Sequence, residues 1–597
     1  MTPGRDRQHA HYHEDLSATE IETDNYDSSA FQDVAIGEKK MMNDSKGADK
    51  AEILADGKIV LKDEMEANGR EPTAEEDSTL RRVADHIPMS AWLVVAVEFC
   101  ERFTYYGLSG PFQNYIQYPY TSVRGAAHPG AIGGGQTEAT ALNYFFQFFC
   151  YCTPIFGAII ADQFLGKYKA ILVFCIVYML GVLILVCTSI PTAINAGAAL
   201  PGLIVAMIII GFGTGGIKSN VSPLVAEQYQ GTKPTIKTLK SGEKVIVDPA
   251  VTIQSIFNWF YWAINIGSLS AIITTNVEKY YAFWLAYLIP LIMFNGAIFC
   301  MWLGRNALIK TPPRGSIILE SFRVFGIALK DGRNLDSARP SVILTRNPDA
   351  NMNAITWDDV FIDELRLTLK ACRVFCFYPM YWVIYNQITT NLTSQAGTMI
   401  LYGIPNDVIN NIDPIVLIIC IPIFDKIIYP AFRRMGFELK PVTRITLGFL
   451  FAAIAMAWTA GVQHLIYITG PNFDCTLCDA NESPNNVSFG WQIPSYVFIA
   501  ISEIFASITG LEFAFTNAPA TMKSVVMSIF LFMNCIGALL GFAFLPLTKD
   551  PLLVWLYTSL CCCALVLSGV IYWLFRDYDK IMRADKLALQ AKYDLRE

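Results

Sequence analysis

The stretch Glu98-Phe99-Cys100-Glu101-Arg102-Phe103-Thr104-Tyr105-Tyr106-Gly107 follows directly on the apolar run Ala91-Trp92-Leu93-Val94-Val95-Ala96-Val97. The two read as one helix, long enough at about 1.5 Å per residue to cross roughly 30 Å of hydrocarbon. Ionisable groups in such a helix cost about 2.5 to 3.5 kcal/mol each when lipid surrounds them. Glu98, Glu101 and Arg102 stand three and four residues apart, so they share one face, and that face must look into protein rather than at lipid. Tyr105 and Tyr106 continue near it one turn later, adding hydroxyls and aromatic walls. A purely structural inward salt bridge is the plainer reading of the three charges; a functional chamber is the sharper one.

The rest of the chain repeats the apolar pattern. Runs of roughly twenty residues fall at 88–111, 140–161, 169–190, 200–222, 254–275 and 281–303, and again at 371–394, 412–430, 444–467, 493–516, 524–546 and 552–575. Of the 597 residues 53% are hydrophobic and 16% charged, too few charges to cover a soluble body of this size. The expected fold is therefore an all-α integral membrane protein of 12 transmembrane helices in two pseudo-symmetric halves of six. That is the arrangement of the major facilitator superfamily, whose substrate site lies at mid-membrane between the halves. The stretch from Gly157 through Asp162, Gly166 and Lys167 to Lys169 resembles that superfamily's loop signature, with a tight turn, a carboxylate near a helix end and cations.

The expected organisation is an acidic tail over 1–86, one half over 87–303, a cytoplasmic linker over 304–370, a second half over 371–575 and a cytoplasmic tail over 576–597. The net charge of −7 belongs to the first tail, which carries roughly eleven more acidic than basic groups and too little apolar surface to fold. No signal peptide opens the chain, so this tail is expected to stay in the cytoplasm. Arg305, Lys310, Arg314, Arg323, Arg433, Arg434, Lys440 and Arg576 fall on one side of the alternating spans, against Arg124, Lys279 and Lys549 on the other. The positive-inside rule then places both termini in the cytoplasm.

Further charges lie inside spans: Lys218, whose alternative is snorkelling from a helix end, and Glu503 amid Tyr496–Ser502 and Ile504–Ala506. No histidine sits at a span centre, so carboxylates must carry any proton. Gly211-Phe212-Gly213-Thr214-Gly215-Gly216 spells a dinucleotide loop, but inside a span small residues for close helix packing explain it better. The fifteen cysteines read as small packing residues; for Cys475 and Cys478, chance or a local disulfide outweighs zinc. The tract His9, His11 and His13 lies in the tail and carries little weight as a metal site.

The first-span string resembles the ExxER-F-x-YYG motif of the proton-dependent oligopeptide transporter family. Gly213-Thr214-Gly215-Gly216-Ile217-Lys218-Ser219-Asn220, the run Phe257 to Leu269, and Ser502-Glu503 resemble its fourth-, fifth- and tenth-span motifs. The likeness runs from about Ile87 to Arg576 and is nearest to fungal di- and tripeptide transporters. It implies that Glu98, Glu101, Arg102 and Lys218 couple transport to protons. It further implies that Asn265 and Glu503 hold a peptide's amino end and that Arg102 and Lys218 face its carboxylate. Tyr105, Tyr106, Tyr151 and Gln387 would join the substrate site. Many relatives carry a second arginine and an acidic residue where this chain has Ser109 and Asn386, and the animal branch a histidine where it has Tyr144. A gate that elsewhere uses an ion pair is expected to close here by hydrogen bonds. Asp413 either adds a titratable group or caps its helix.

The resulting expectation is a proton-coupled symporter that imports di- and tripeptides across the plasma membrane, with lipid and small peptides as its partners. Nucleic acid is not expected among them, nor any metal, nor a cofactor other than the coupling proton. A carrier of nitrate or another small anion, and a peptide-sensing receptor, are the rival readings. An enzyme is not expected, since no nucleophile–base or metal-ligand spacing appears in the spans.

Overall fold

The computed structural model describes residues 51–53, 59–61 and 69–594, apart from 127, 240–241, 314, 333, 347–354, 436–438 and 475–482. The histidine tract and the Cys475/Cys478 pair lie outside the described residues, as do most of residues 1–68 of the expected unstructured tail. The thirteen described cysteines are all free.

The first six spans are α1 (Met89–Ser109), α2 (Gly135–Ile160), α3 (Lys167–Thr188), α4 (Ala199–Glu227), α5 (Pro249–Ser268, continued by Ser270–Tyr280) and α6 (Phe283–Leu303). The second six are α7 (Tyr378–Tyr385, resumed at Asn391–Gly397), α8 (Ile412–Ile423), α9 (Pro441–Ile468), α10 (Ile493–Glu503, resumed at Thr509–Asn517), α11 (Lys523–Gly541) and α12 (Leu553–Phe575). Among the described residues ten helices are long and apolar enough to cross a membrane. The two that fall short do so for visible reasons: α1 carries three charges, and α7 is interrupted between Tyr385 and Asn391.

Local chemistry sets several boundaries. Asp248 caps α5 by accepting from the Ala250 N–H, with Pro249 in the first turn, where a missing N–H costs nothing. Between α2 and α3 the chain turns through Gly166 at φ +72°, the tight turn expected from the loop signature. The glycines of α4 are packing residues, as read from the sequence. A Cβ on Gly213 would meet the Tyr178 backbone of α3 at 2.7 Å, and one on Gly215 would meet Thr153 of α2. Each half has its own core, one around Tyr115, Tyr178, Tyr287 and Phe294, the other around Tyr378, Phe449, Tyr496 and Tyr557. Leucines and isoleucines such as Leu180, Leu183, Ile418 and Ile419 are exposed on outer faces, where lipid solvates them.

The segment between α6 and α7 is more built than its polar composition announces. It forms the helices Ile317–Lys330, Pro340–Arg346 and Asp359–Ala371. Ile318, Val324, Ala338, Trp357, Ile362 and Leu365 make a small core with Met522 and Val525 at the start of α11. Arg339 joins Asp336 at 2.7 Å and Asp363 at 2.5 Å, and Arg366 joins Asp336 at 2.6 Å. A final helix, Tyr578–Asp594, follows α12.

The described residues up to Arg81 and those of Pro234–Ile246 form a second compact unit. In it Ala51–Ile53 pairs antiparallel with Ile59–Leu61. The short helix Ala74–Thr79 starts at a capping box between Thr73 and Glu76, and Arg70 grips Glu76 through two hydrogen bonds of 2.8 and 2.5 Å.

Candidate functional site

The three charges of α1 are buried together: Glu98 is 4% exposed, Glu101 0% and Arg102 5%. Arg102 bridges both carboxylates, Nε to Glu98 at 2.9 Å and Nη2 to Glu101 at 2.6 Å. The Thr214 hydroxyl of α4 donates to the other Glu101 oxygen at 2.5 Å. Glu101 thus has a charged and a neutral partner, while Glu98 depends on Arg102 alone among the described side chains. One guanidinium holding two carboxylates leaves the cluster one negative charge in excess.

Lys218 supplies the balancing charge from a distance. Its ammonium stands 3.9 Å from the centroid of the Tyr151 ring on α2, with no ion pair among the described residues, and it still acts on Glu98, Glu101 and Arg102 through space. The snorkelling alternative for this lysine does not describe its placement. Among the described residues no ion pair joins the glutamates to Lys218, and Arg102, on the same helix, pairs with both of them instead.

From the second half, Glu503 ends the first segment of α10, where a π-turn at Ile504–Ile508 follows. Tyr385 hydrogen-bonds this carboxyl, its Oε2 has no hydrogen-bond partner among the described residues, and its charge is felt by Tyr106 and Tyr151 of the first half. Asp413 is the one buried residue of α8. The Tyr385 hydroxyl donates to its Oδ2 at 3.4 Å and no cap bond forms, which removes the helix-cap reading and leaves a titratable group. Tyr105 stacks on Phe146, meets Tyr106 edge-on and donates to Gln147 at 3.4 Å. Glu98, Glu101, Arg102, Lys218, Tyr105, Tyr106, Tyr151 and Glu503 are therefore brought together.

Two expected site residues have their amides engaged by partners outside that set. The Asn265 side chain donates to the Tyr261 carbonyl of its own helix at 3.0 Å, and no described contact ties it to Glu503. Gln387 belongs to a seam between the halves. Its Nε2 donates to the Tyr144 hydroxyl at 2.8 Å, and Asn391 donates to its Oε1 at 2.7 Å. Gln136 and Thr140 of α2 in turn donate to Asn391.

The seam continues at the end of the bundle away from the α6–α7 segment. Gln113 donates to Ser394 at 2.9 Å, Ser394 to Gln117 at 2.5 Å, and Asn114 and Asn406 exchange two hydrogen bonds of 2.8 Å. These groups are buried and uncharged. Among the described residues no side-chain hydrogen bond or ion pair joins α4 or α5 to α10 or α11. The described polar side-chain ties between the halves thus cluster at one end, while at the other Ile155, Ala158 and Ile159 of α2 pack against the small core that includes Met522 and Val525.

Glu278 and Asp407, at that latched end, were not singled out in the sequence. Glu278 sits at the edge of a span beside Lys279, and Asp407 in a polar connection, so each looks solvated when read alone. Both are buried, at 3% and 0% exposure.

Two six-helix halves latched at one end, enclosing charges of both signs contributed by α1, α4 and α10, define a secondary membrane transporter of the major facilitator type. Residues 168–558 match the model of the PTR2 (POT) family. The chain is 49% identical over 527 residues to a peptide transporter, PTR_C, of Candidozyma auris, covering 88% of this chain and 90% of the relative. It is 47% identical over 510 residues to the peptide transporter PTR2 of Saccharomyces cerevisiae, covering 85% and 82%. In fold it is similar to the crystal structure of the POT family transporter PepTSo, with a TM-score of 0.65 at 21% identity over 83% of this chain and 99% of that one. The chain belongs to the POT family, and it is a multi-pass membrane protein.

Proposed function

We propose that this protein imports di- and tripeptides together with protons by alternating access, across the plasma membrane and with both termini in the cytoplasm. The observation that carries the reading is the buried dipolar chamber: Arg102 and Lys218 at one pole, the Glu503 carboxyl with its Oε2 open among the described residues at the other. A zwitterionic peptide has one charge at each end and meets complementary charge at each pole. The relatives' names as peptide transporters support the same cargo.

In this proposal the latched end faces outside, and the domain limits are those read from the sequence, with the linker and both tails in the cytoplasm. Glu98 and Glu101 compete with the peptide carboxylate for Arg102. A proton on either glutamate weakens its hold, so proton and peptide enter as a pair; their release to the cytoplasm restores the Arg102 clamp. The proton is the coupling ion and no other cofactor takes part. The tyrosines give roomy aromatic walls that accept varied side chains.

The test is uptake of a labelled dipeptide by purified protein in liposomes, with and without an inward proton gradient. Accumulation with the gradient is expected, together with a Glu101→Gln variant that exchanges peptide but no longer concentrates it. Concentrative uptake by that variant contradicts the assignment. Uptake of nitrate but not peptide makes the protein an anion carrier, and binding without flux makes it a receptor.

A further inference from the structure

The Asn114 amide of the first half donates to Glu278 Oε1 at 2.9 Å, leaving Oε2 without a partner. Asn114 also exchanges hydrogen bonds with Asn406, the residue before Asp407 in the connection entering α8, and so brings the buried Asp407 carboxyl of the second half beside Glu278, with which it interacts. No other side chain among the described residues offers it a hydrogen bond. Two carboxyl groups facing each other across a dry seam cannot both be ionised, and a hydrogen bond between them requires a proton on one.

The surrounding groups fix how many protons the pair holds. Lys279 is 8% exposed, and its ammonium donates to the carbonyls of Gly403 at 3.1 Å and Ile404 at 3.3 Å, making no ion pair among the described residues. It supplies one positive charge through space to both acids. The Tyr287 phenol from α6 faces both acids, and the Tyr118 phenol from the connection after α1 faces Asp407. Asp550 also acts on Tyr118. His128 stacks on Tyr118 at 4.7 Å and feels Lys279. One ammonium against two carboxyls is neutral when the carboxyls share a single proton.

We infer that Glu278 and Asp407 form a proton-binding site of the transport cycle, separate from the α1 cluster, filled when the two halves close at this end and emptied when they part. Closure brings the carboxyls together and takes up one proton from the compartment at that end, as the bond from Glu278 to Asp407. Opening wets both groups, and the proton returns to the same side as both ionise. Burial also pushes the Asp407 carboxyl above its ordinary range. A carboxyl raised in the closed state and ordinary in the open one favours closure as pH falls and loses that preference as pH rises. Acid on that side thus promotes the step that commits cargo to the inward arm. This inference rests on the alternating-access reading and not on the identity of the cargo.

Spin labels at Val123→Cys and Tyr402→Cys, exposed positions on the two halves at this end, report the gap in the full-length protein in liposomes without peptide. The exposed Cys187, Cys376 and Cys562 are replaced by serine in every variant. The ratio of short to long distances is expected to rise about tenfold per pH unit of acidification on the alkaline side of the titration, the slope of one proton. In Asp407→Asn the amide donates to an ionised Glu278 without needing a proton, so the ratio is expected to change less than about twofold per unit. Glu278→Gln makes the same prediction and serves if the first variant fails to fold. His128→Gln should keep the wild-type slope. A wild-type ratio indifferent to pH, an Asp407→Asn protein with the full slope, or a slope that vanishes with His128 overturns the inference. None of these results depends on whether peptide is carried.

Discussion

Arg102 holds two buried carboxylates, and that arithmetic sets how the chamber responds to mutation. Removing the guanidinium leaves two negative charges in a dry interior, a loss of about 3 to 5 kcal/mol for a broken buried pair. Arg102→Ala is therefore expected to melt well below the wild type in detergent, and adding Glu98→Gln and Glu101→Gln to it should recover most of the loss. Equal melting of the single and triple variants would show that the cluster is not an electrostatic unit. The α1 cluster was legible because charges three and four residues apart in an apolar run admit one inward face. A salt bridge within the α1 cluster was among the sequence readings; that Arg102 takes both carboxylates and leaves Lys218 on the Tyr151 ring was not legible, because both are cations and only the side-chain geometry shows which reaches the oxygens. Asn265 illustrates the converse, a motif residue whose amide is bonded to its own helix.

Helices announced themselves where apolar length alone defines them. α3, α4, α9 and α12 fall within a few residues of the apolar runs that marked them. The break in α7 and the three helices between α6 and α7 stayed hidden, since the latter depend on a tertiary core around Trp357 and on ion pairs between separate turns. Asp336 ties two of those turns together. Hydrogen bonds from Arg339 and Arg366 hold its carboxyl below the usual carboxylate range. A depressed acid lends stability above its unfolded value and loses it as pH falls through the folded one, so this brace should fail below about pH 4. A spin label at the exposed Ser341→Cys is expected to gain mobility in that window, and Asp336→Asn should show the mobile signal already at neutral pH. An immobile label in Asp336→Asn would mean the ion pairs do not hold the segment.

Across the bundle, the two halves meet at one end through a seam of uncharged amides and hydroxyls, to which Lys279 and the Glu278–Asp407 pair are added, and without described side-chain ties between α4 or α5 and α10 or α11 at the other. Neutral partners swap for water at little cost, so a seam of this kind can part and re-form, whereas a buried ion pair would resist. The six-plus-six plan was legible because lipid imposes it on the sequence. The pairing of Glu278 with Asp407 was not, because it joins distant segments across an interface. The most direct measurement of the central claim uses liposomes loaded with a pH-sensitive dye and no imposed gradient. On addition of a dipeptide outside, the account expects the lumen to acidify in the wild type and to hold its pH in Glu101→Gln, as inflowing peptide draws protons with it. Labelled dipeptide entering wild-type vesicles with no change in lumenal pH would contradict it.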